Sequence, residues 1–281
     1  MTNDVLLAVL VAALMNAVWN SAIKIGGDKV VVMALTTLVG SVASLLALPF
    51  IGVSLATSWE LLAVSIVLHT VYHLVLASAY QHGDLGHVYP IARGGAPLLV
   101  TLAAATVLLE LPTVPEMIGI ACLSVGVLAI AVGNRRGESG RRGTAYALLT
   151  SAMIASYTLI DGLGARNSAS ALQFGVLLTI GDGIATALIV VMWRGRSAFV
   201  NTDLRTGLLI SLAGIMQIGA YWIAVWAYAR APLGAVSALR ESSVLFVTLI
   251  STFLLKERLG MQRIACASLV LIGIVLVRIG H

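Results

Sequence analysis

Charge is what this sequence most lacks. Only 17 Lys and Arg and 12 Asp and Glu occur in 281 residues, 10% of the chain, where a typical soluble domain carries about 25%. A chain of this length needs a polar surface to meet water, and so few charges cannot supply it. An ordinary soluble enzyme, a disordered chain and a coiled coil are therefore excluded. Cysteine is scarce too. Cys122 and Cys266 both fall inside apolar runs, where they read as small packing residues rather than a disulfide. The first apolar run, Val5 to Ile23, follows Asp4 without a basic n-region, so no cleavable signal peptide is expected. No Gly-x4-Gly-Lys-Ser/Thr loop occurs, which argues against ATP drive within the chain.

What is there is apolar sequence: 59% of residues, with a mean hydropathy of +1.01. A membrane span needs about 20 such residues. Runs bounded by Gly, Pro, Asp and basic clusters give ten candidate helices. They are Val5–Ile25, Val30–Val53, Glu60–His82, His87–Leu109, Pro115–Gly133, Thr144–Leu163, Leu172–Trp193, Leu204–Tyr228, Gly234–Leu255 and Leu259–Ile279. Helix alone satisfies the backbone internally here, because the alternating pattern of a β-barrel is absent. The net charge of +5 does not point to nucleic acid, since the basic residues sit in loops between apolar runs.

There they mark orientation. Twelve Lys and Arg fall in loops on the side of the segment 134–143, three fall on the other side, and Arg93 and Arg240 lie inside spans. The positive-inside bias places that segment in the cytoplasm and both termini outside.

The second half echoes the first. Ala79, Tyr80 and Gly86 meet Ala227, Tyr228 and Gly234 at an offset of 148. After one gap the offset is 147: Arg93 meets Arg240, Thr101 meets Thr248, Glu110 meets Glu257, and Gly126 meets Gly273. A near-constant offset over some fifty residues indicates duplication. Residues 1–133 and 144–281 would be the two units, with 134–143 a basic linker. Five spans is an odd number, so tandem copies lie upside down relative to each other, a transporter architecture with its site at the repeat interface.

Several segments carry a family resemblance. They are Ala17-Val-Trp19-Asn, Tyr89-Pro-Ile-Ala-Arg93-Gly, Leu239-Arg-Glu-Ser-Ser243, and the Leu-Leu-Glu110 and Leu-Lys-Glu257 ends, each followed by a helix with Gly126 or Gly273. The chain resembles the drug/metabolite transporter superfamily, EamA-type branch, over nearly its whole length. The resemblance implies an all-α polytopic membrane protein of ten helices in two inverted five-helix repeats. Spans 1, 3, 4, 6, 8 and 9 would line a central cavity, with 5 and 10 peripheral. Many members keep their termini in the cytoplasm, opposite to the charge bias here.

Polar residues inside spans are costly, and each is a site hypothesis. Arg93 and Arg240 stand about 9–10 Å into their helices at 1.5 Å per residue. Their guanidinium forks suit a carboxylate or phosphate. The competing reading is an ion pair with Asp182 or Glu241. His69 and His73 share one face of span 3, and their repeat partners Gln217 and Tyr221 share one face of span 8. Both faces read as cavity lining, with Trp19, Tyr157 and Trp222 in the same set. No third ligand with matching spacing accompanies the histidines, so no metal is expected. Asn16, Asn20 and Lys24 form a stripe on span 1, either a substrate path or interhelical hydrogen bonding with a snorkelling lysine. Asp182, between Gly181 and Gly183, is a proton carrier or a helix contact, and Glu241 has the same ambiguity. Pro90, Gly94, Gly95 and Pro97 make span 4 the expected bending element, with close helix packing as the alternative.

The leading expectation is a secondary transporter, not an enzyme, moving a small amino acid or other carboxylate by alternating access, export favoured. The alternatives are an exporter of lipophilic cations and a polytopic lipid-modifying enzyme. The expected setting is a prokaryotic inner membrane. Expected partners are a small-molecule substrate, the lipid bilayer and a second copy through spans 5 and 10, with no cofactor and no nucleic acid.

Overall fold

A computed structural model of the chain describes residues 1–23, 28–54, 56–83, 85–133, 141–199, 203–246 and 261–280. Among these residues there is no strand, and ten helices follow one another. They are α1 (Asn3–Ile23), α2 (Lys29–Ile51), α3 (Trp59–His82), α4 (Leu85–Val107), α5 (Val114–Gly133), α6 (Arg141–Asn167), α7 (Ala171–Arg194), α8 (Leu204–Tyr228), α9 (Leu233–Arg240) and α10 (Met261–Ile279). Seven of them are long and apolar enough to cross a membrane, and α5 and α10 contain shorter apolar stretches.

Local chemistry sets the ends. Asp28 accepts from the Val30 amide at 2.9 Å and opens α2. Ser170 and Asp203 accept from Gln173 and Thr206 and open α7 and α8. These side chains satisfy amides that no helical carbonyl reaches. Gly52 and Gly195 close α2 and α7 at φ +80°, each returning its N–H to the carbonyl four residues back.

Two boundaries differ from the sequence reading. Arg141, Arg142 and Gly143, expected in the linker, form the first turn of α6; residues 134–140 lie outside the described residues. The ninth span was expected to run unbroken to Leu255, yet its first helix stops at Arg240. There the amides of Glu241 and Ser242 bond three residues back, to Ala238 and Leu239. The turn tightens, and helix resumes at 243–246. By contrast α4 is unbroken through Pro90 and Pro97. The backbone interruption therefore lies in the ninth span, not in the span expected to bend.

α5 packs against α10, α2 against α7, α3 against α6, and α1 against α8. α4 lies between α6 and α5 and also touches α9. Small residues permit the closest approaches. A Cβ on Gly119 of α5 would meet the Gly273 carbonyl of α10 at 2.8 Å, and a Cβ on Gly183 of α7 would meet the Thr37 carbonyl of α2 at 2.5 Å.

Burial is inverted relative to a water-soluble protein. Phe50, Leu46, Met192 and Leu102 point outward, while His69, His73, Arg93, Asp161, Asp182, Arg240 and Glu241 are buried. Apolar side chains outside and charged ones inside suit a solvent of lipid. The chain is an integral membrane protein.

Candidate functional site

The buried polar groups surround one central cavity of about 60 Å³, room for a few waters. α1 contributes Asn16 and Trp19, α3 His69, Tyr72 and His73, α4 Arg93, and α6 Tyr157. α7 adds Thr179 and Asp182, α8 Gln217 and Tyr221, and α9 Arg240. Nine of the eleven residues expected at a cavity thus meet here. Asn20 faces a smaller neighbouring cavity that shares Trp19, Tyr72 and Arg93 with the central one. Trp222 turns toward α7 instead, its indole N–H donating to Thr179 Oγ1 at 3.2 Å. Lys24 lies outside the described residues.

The two arginines have different surroundings. Arg93 Nε donates to Glu241 Oε2 at 3.1 Å, a pair buried on both sides. Arg240 Nη1 donates to the Tyr228 hydroxyl at 2.5 Å. Among the described residues no carboxylate lies within ion-pair distance of Arg240. Each arginine also keeps one buried nitrogen without a partner in the described structure, Nη2 of Arg93 and Nε of Arg240. A buried donor left unbonded is costly, so both are points where a ligand's acceptor would be stabilised.

The histidines each meet a carboxylate from another helix. His69 Nε2 lies 3.1 Å from Asp161 Oδ2 on α6, and His73 Nδ1 lies 3.2 Å from Asp182 Oδ1 on α7. Asp161 also accepts from Tyr221 at 2.7 Å and from Ser65. Asp182 accepts from Thr186 at 3.2 Å and Thr70 at 3.4 Å. Tyr157 stacks at a tilt on His69, ring centres 4.1 Å apart. The two histidines therefore face different carboxylates, and among the described residues no three His, Cys, Asp or Glu converge as metal ligands.

On α1, Asn16 accepts from the Trp19 indole at 2.8 Å, and Asn20 returns its amide to the Asn16 carbonyl. Gly181 and Gly183, beside Asp182, abut Ile66 of α3 and Thr37 of α2. Of the residues expected to bend, Gly94 abuts Leu128 of α5 and Gly95 abuts Ser151 of α6.

Two groups escaped the sequence reading. Asp161 was placed two residues from a helix end at Leu163; α6 runs on to Asn167, which carries Asp161 well inside. The available signal was its four-residue spacing from Tyr157. The other is Arg166, which pairs with Glu110 and donates to the carbonyls of Tyr228 and Ala231 at 2.8 and 3.1 Å. Glu110 in turn accepts from the Leu233 amide at 2.9 Å. This cluster ties together the ends of α4, α6, α8 and α9 on one face.

Residues 141–279 match the EamA-like transporter family. The chain belongs to that family by its second half. Its members are membrane transporters of the drug/metabolite type, not enzymes. Among curated proteins none matches the sequence. Of the solved structures, 28 chains match. One, described only as a crystal structure of a protein, superposes with a TM-score of 0.84 at 16% identity, covering 98% of this chain and 96% of its own. That likeness concerns the fold and extends it to both halves of this EamA-like chain.

Proposed function

We propose that this EamA-like protein is a secondary transporter for a small carboxylate-bearing metabolite, an amino acid or another organic acid, working by alternating access. The observation that carries the reading is Arg240. It is buried, lines the central cavity, has no carboxylate partner among the described residues, and leaves Nε unbonded. A desolvated guanidinium in this state favours an anion with a planar pair of oxygens. Alternating access needs two halves that can exchange shapes at similar energy. The helix pairing supports this: on the repeat reading α3·α6 and α1·α8 are equivalent contacts, as are α2·α8 and α3·α7. The direction of net flux follows the gradients on the two sides.

The experiment is counterflow into liposomes loaded with unlabelled substrate, screened over labelled amino acids, other organic acids and cationic dyes. Exchange of a carboxylate that is lost in Arg240→Gln, and in the Arg93→Gln, Arg240→Gln double variant, supports the reading. Unchanged kinetics in the double variant removes the arginines from substrate binding. Dye flux without carboxylate exchange favours export of lipophilic cations, for which Asp161 and Asp182 would be the counter-charges.

The charge bias supports a cytoplasmic central linker and external termini. Arg278 donates to the Met1 carbonyl and to Asn3, in keeping with both ends on one face. The outer faces of α5 and α10, with Met117, Val125, Leu271 and Val275 exposed, are the proposed surface for a second copy.

A further inference from the structure

Anion binding uses the arginines of the cavity and leaves the histidine–aspartate pairs without a task. Both pairs are buried, both line or adjoin the same cavity, and their imidazoles lie 6.3 Å apart between ring centres. Ion pairs that merely hold helices together would not need a group whose charge changes near neutral pH, and histidine is that group.

We propose that His69–Asp161 and His73–Asp182 form a proton-binding site that loads together with the substrate anion. The inference rests on the carrier reading of the cavity. Charge balance carries it. Arg93 and Glu241 cancel each other. That leaves Arg240 as one positive charge and Asp161 and Asp182 as two negative ones, so with neutral imidazoles the site bears one net negative charge and opposes an incoming anion. Two protons, one on each histidine, reverse that to one net positive charge, which a monocarboxylate cancels. Inside a membrane an uncancelled charge is expensive, so the neutral loaded state is the one able to reorient. Proton and anion then strengthen each other's binding, as linkage requires.

The transfer is simple. Nε2 of His69 and Nδ1 of His73 are the ring nitrogens nearest the carboxylates, so opposite an ionised carboxylate a neutral imidazole takes the tautomer that carries its N–H there. The other ring nitrogen, Nδ1 of His69 or Nε2 of His73, takes the proton. The lone pair of that nitrogen forms the N–H bond as an O–H bond of hydronium in the cavity breaks, its electron pair staying on the water oxygen, and nothing is oxidised or reduced. Release on the far side reverses the step. The titratable and charged neighbours of the pairs are Tyr72 on α3, Tyr157 on α6, Tyr221 on α8, and, across the cavity, Arg93, Arg240 and Glu241. Among the described residues α1 and α2 add Asn16, Trp19 and Thr37 to the lining.

The first test needs no substrate. Histidine-labelled full-length protein in lipid nanodiscs is followed by NMR across the pH range over which the protein stays folded. The expected result is a reversible response of both imidazoles, altered for His69 by Asp161→Asn and for His73 by Asp182→Asn. If both hold one protonation state throughout in the unmodified protein, the site is refuted, whether or not the variants fold. The second test is coupling. Liposomes loaded with methanesulfonate and the pH dye pyranine, clamped at zero potential, are diluted into anion-free medium. Methanesulfonate carries no proton of its own, so interior alkalinisation as it leaves measures protons moved by the protein. Alkalinisation that falls to the protein-free rate in the His69→Gln, His73→Gln variant is expected. A protein that exchanges labelled carboxylate in counterflow yet moves no proton keeps the carrier and loses this inference. A protein that exchanges nothing loses the carrier reading, whatever its histidines do.

Discussion

The Arg93–Glu241 pair offers a quantitative test of how the cavity is held. Its nitrogen and oxygen stand 3.1 Å apart, with side chains 7% and 3% exposed. At that distance, with an effective dielectric of about 20, the attraction is about 5 kcal/mol. Much of it offsets the cost of removing both ions from water. Removing one partner leaves that cost with nothing against it, so Arg93→Gln or Glu241→Gln alone should lose about 3–5 kcal/mol. The Arg93→Gln, Glu241→Gln double variant leaves two neutral amides that can bond each other. It should lose less than the two single variants summed: with a coupling energy of about 2–3 kcal/mol, within the range for residues in direct contact, the loss is about 4–7 kcal/mol against a sum of about 6–10 kcal/mol. The assay is unfolding of the four proteins in one detergent, compared as a double-mutant cycle. Losses that simply add would refute the reasoning, because they would mean that the charges do not sense each other. Arg240→Gln provides the contrast. With no carboxylate partner among the described residues, it should leave no buried counter-ion behind and cost less stability than Arg93→Gln.

Three further outcomes follow from other contacts. Tyr221→Phe removes a hydroxyl that donates to Asp161 at 2.7 Å; a hydrogen bond to a charged group contributes about 2 kcal/mol, and a neutral result in unfolding would deny that Asp161 depends on it. Gly183→Ala places a methyl 2.5 Å from the Thr37 carbonyl, so α7 must shift from α2 at a cost of about 1–3 kcal/mol, read as lowered thermal stability with weakened cysteine cross-linking between the two helices. A reporter active only in the cytoplasm, fused after His281, should stay dark; a bright fusion would reverse the charge-derived orientation.

The helices were legible because lipid leaves few options: an apolar run of about 20 residues has to be a helix. The α8 boundaries, Leu204 and Tyr228, coincide with the sequence reading. Where it failed, polarity misled it. Arg141 to Gly143 look like linker by composition, yet continue the α6 helix beyond the apolar run. Asp161 looked terminal for the same reason at the other end. At the site, Arg93, Arg240, His69 and His73 stood out because charge and imidazole are rare in spans. Asp182 and Glu241 stood out for the same reason, but Asp161 and the histidine–aspartate pairings did not, since contact across 92 and 109 residues depends on helix rotation, which composition does not encode. The break after Arg240 was missed because proline was taken as the sign of a bend. Here the backbone departs from the helix at Glu241 and Ser242 with no proline involved.

That break and the Arg93–Glu241 pair have one explanation on the repeat reading. The two residues are 148 apart, the same offset that relates Tyr80 to Tyr228 and Gly86 to Gly234. By the offset that holds before the gap, Arg93 would face its own repeat equivalent; after the gap that equivalent is Arg240, and the residue facing Arg93 is the next one, Glu241. Had both halves kept arginine there, two like charges would meet in a membrane interior, an arrangement too costly to persist. The second half is one residue shorter between Gly234 and Arg240 than the first is between Gly86 and Arg93. One residue is about 100° of helix, so the shortening swings the second arginine aside toward Tyr228 and brings Glu241 opposite Arg93. The tightened turn at Glu241 and Ser242 is where the altered register is absorbed. Duplication alone would have given two equal cations in mutual repulsion. On that reading the one-residue difference leaves one neutral pair and, among the described residues, one arginine without a carboxylate partner, and it is this second arginine that we propose binds the anion.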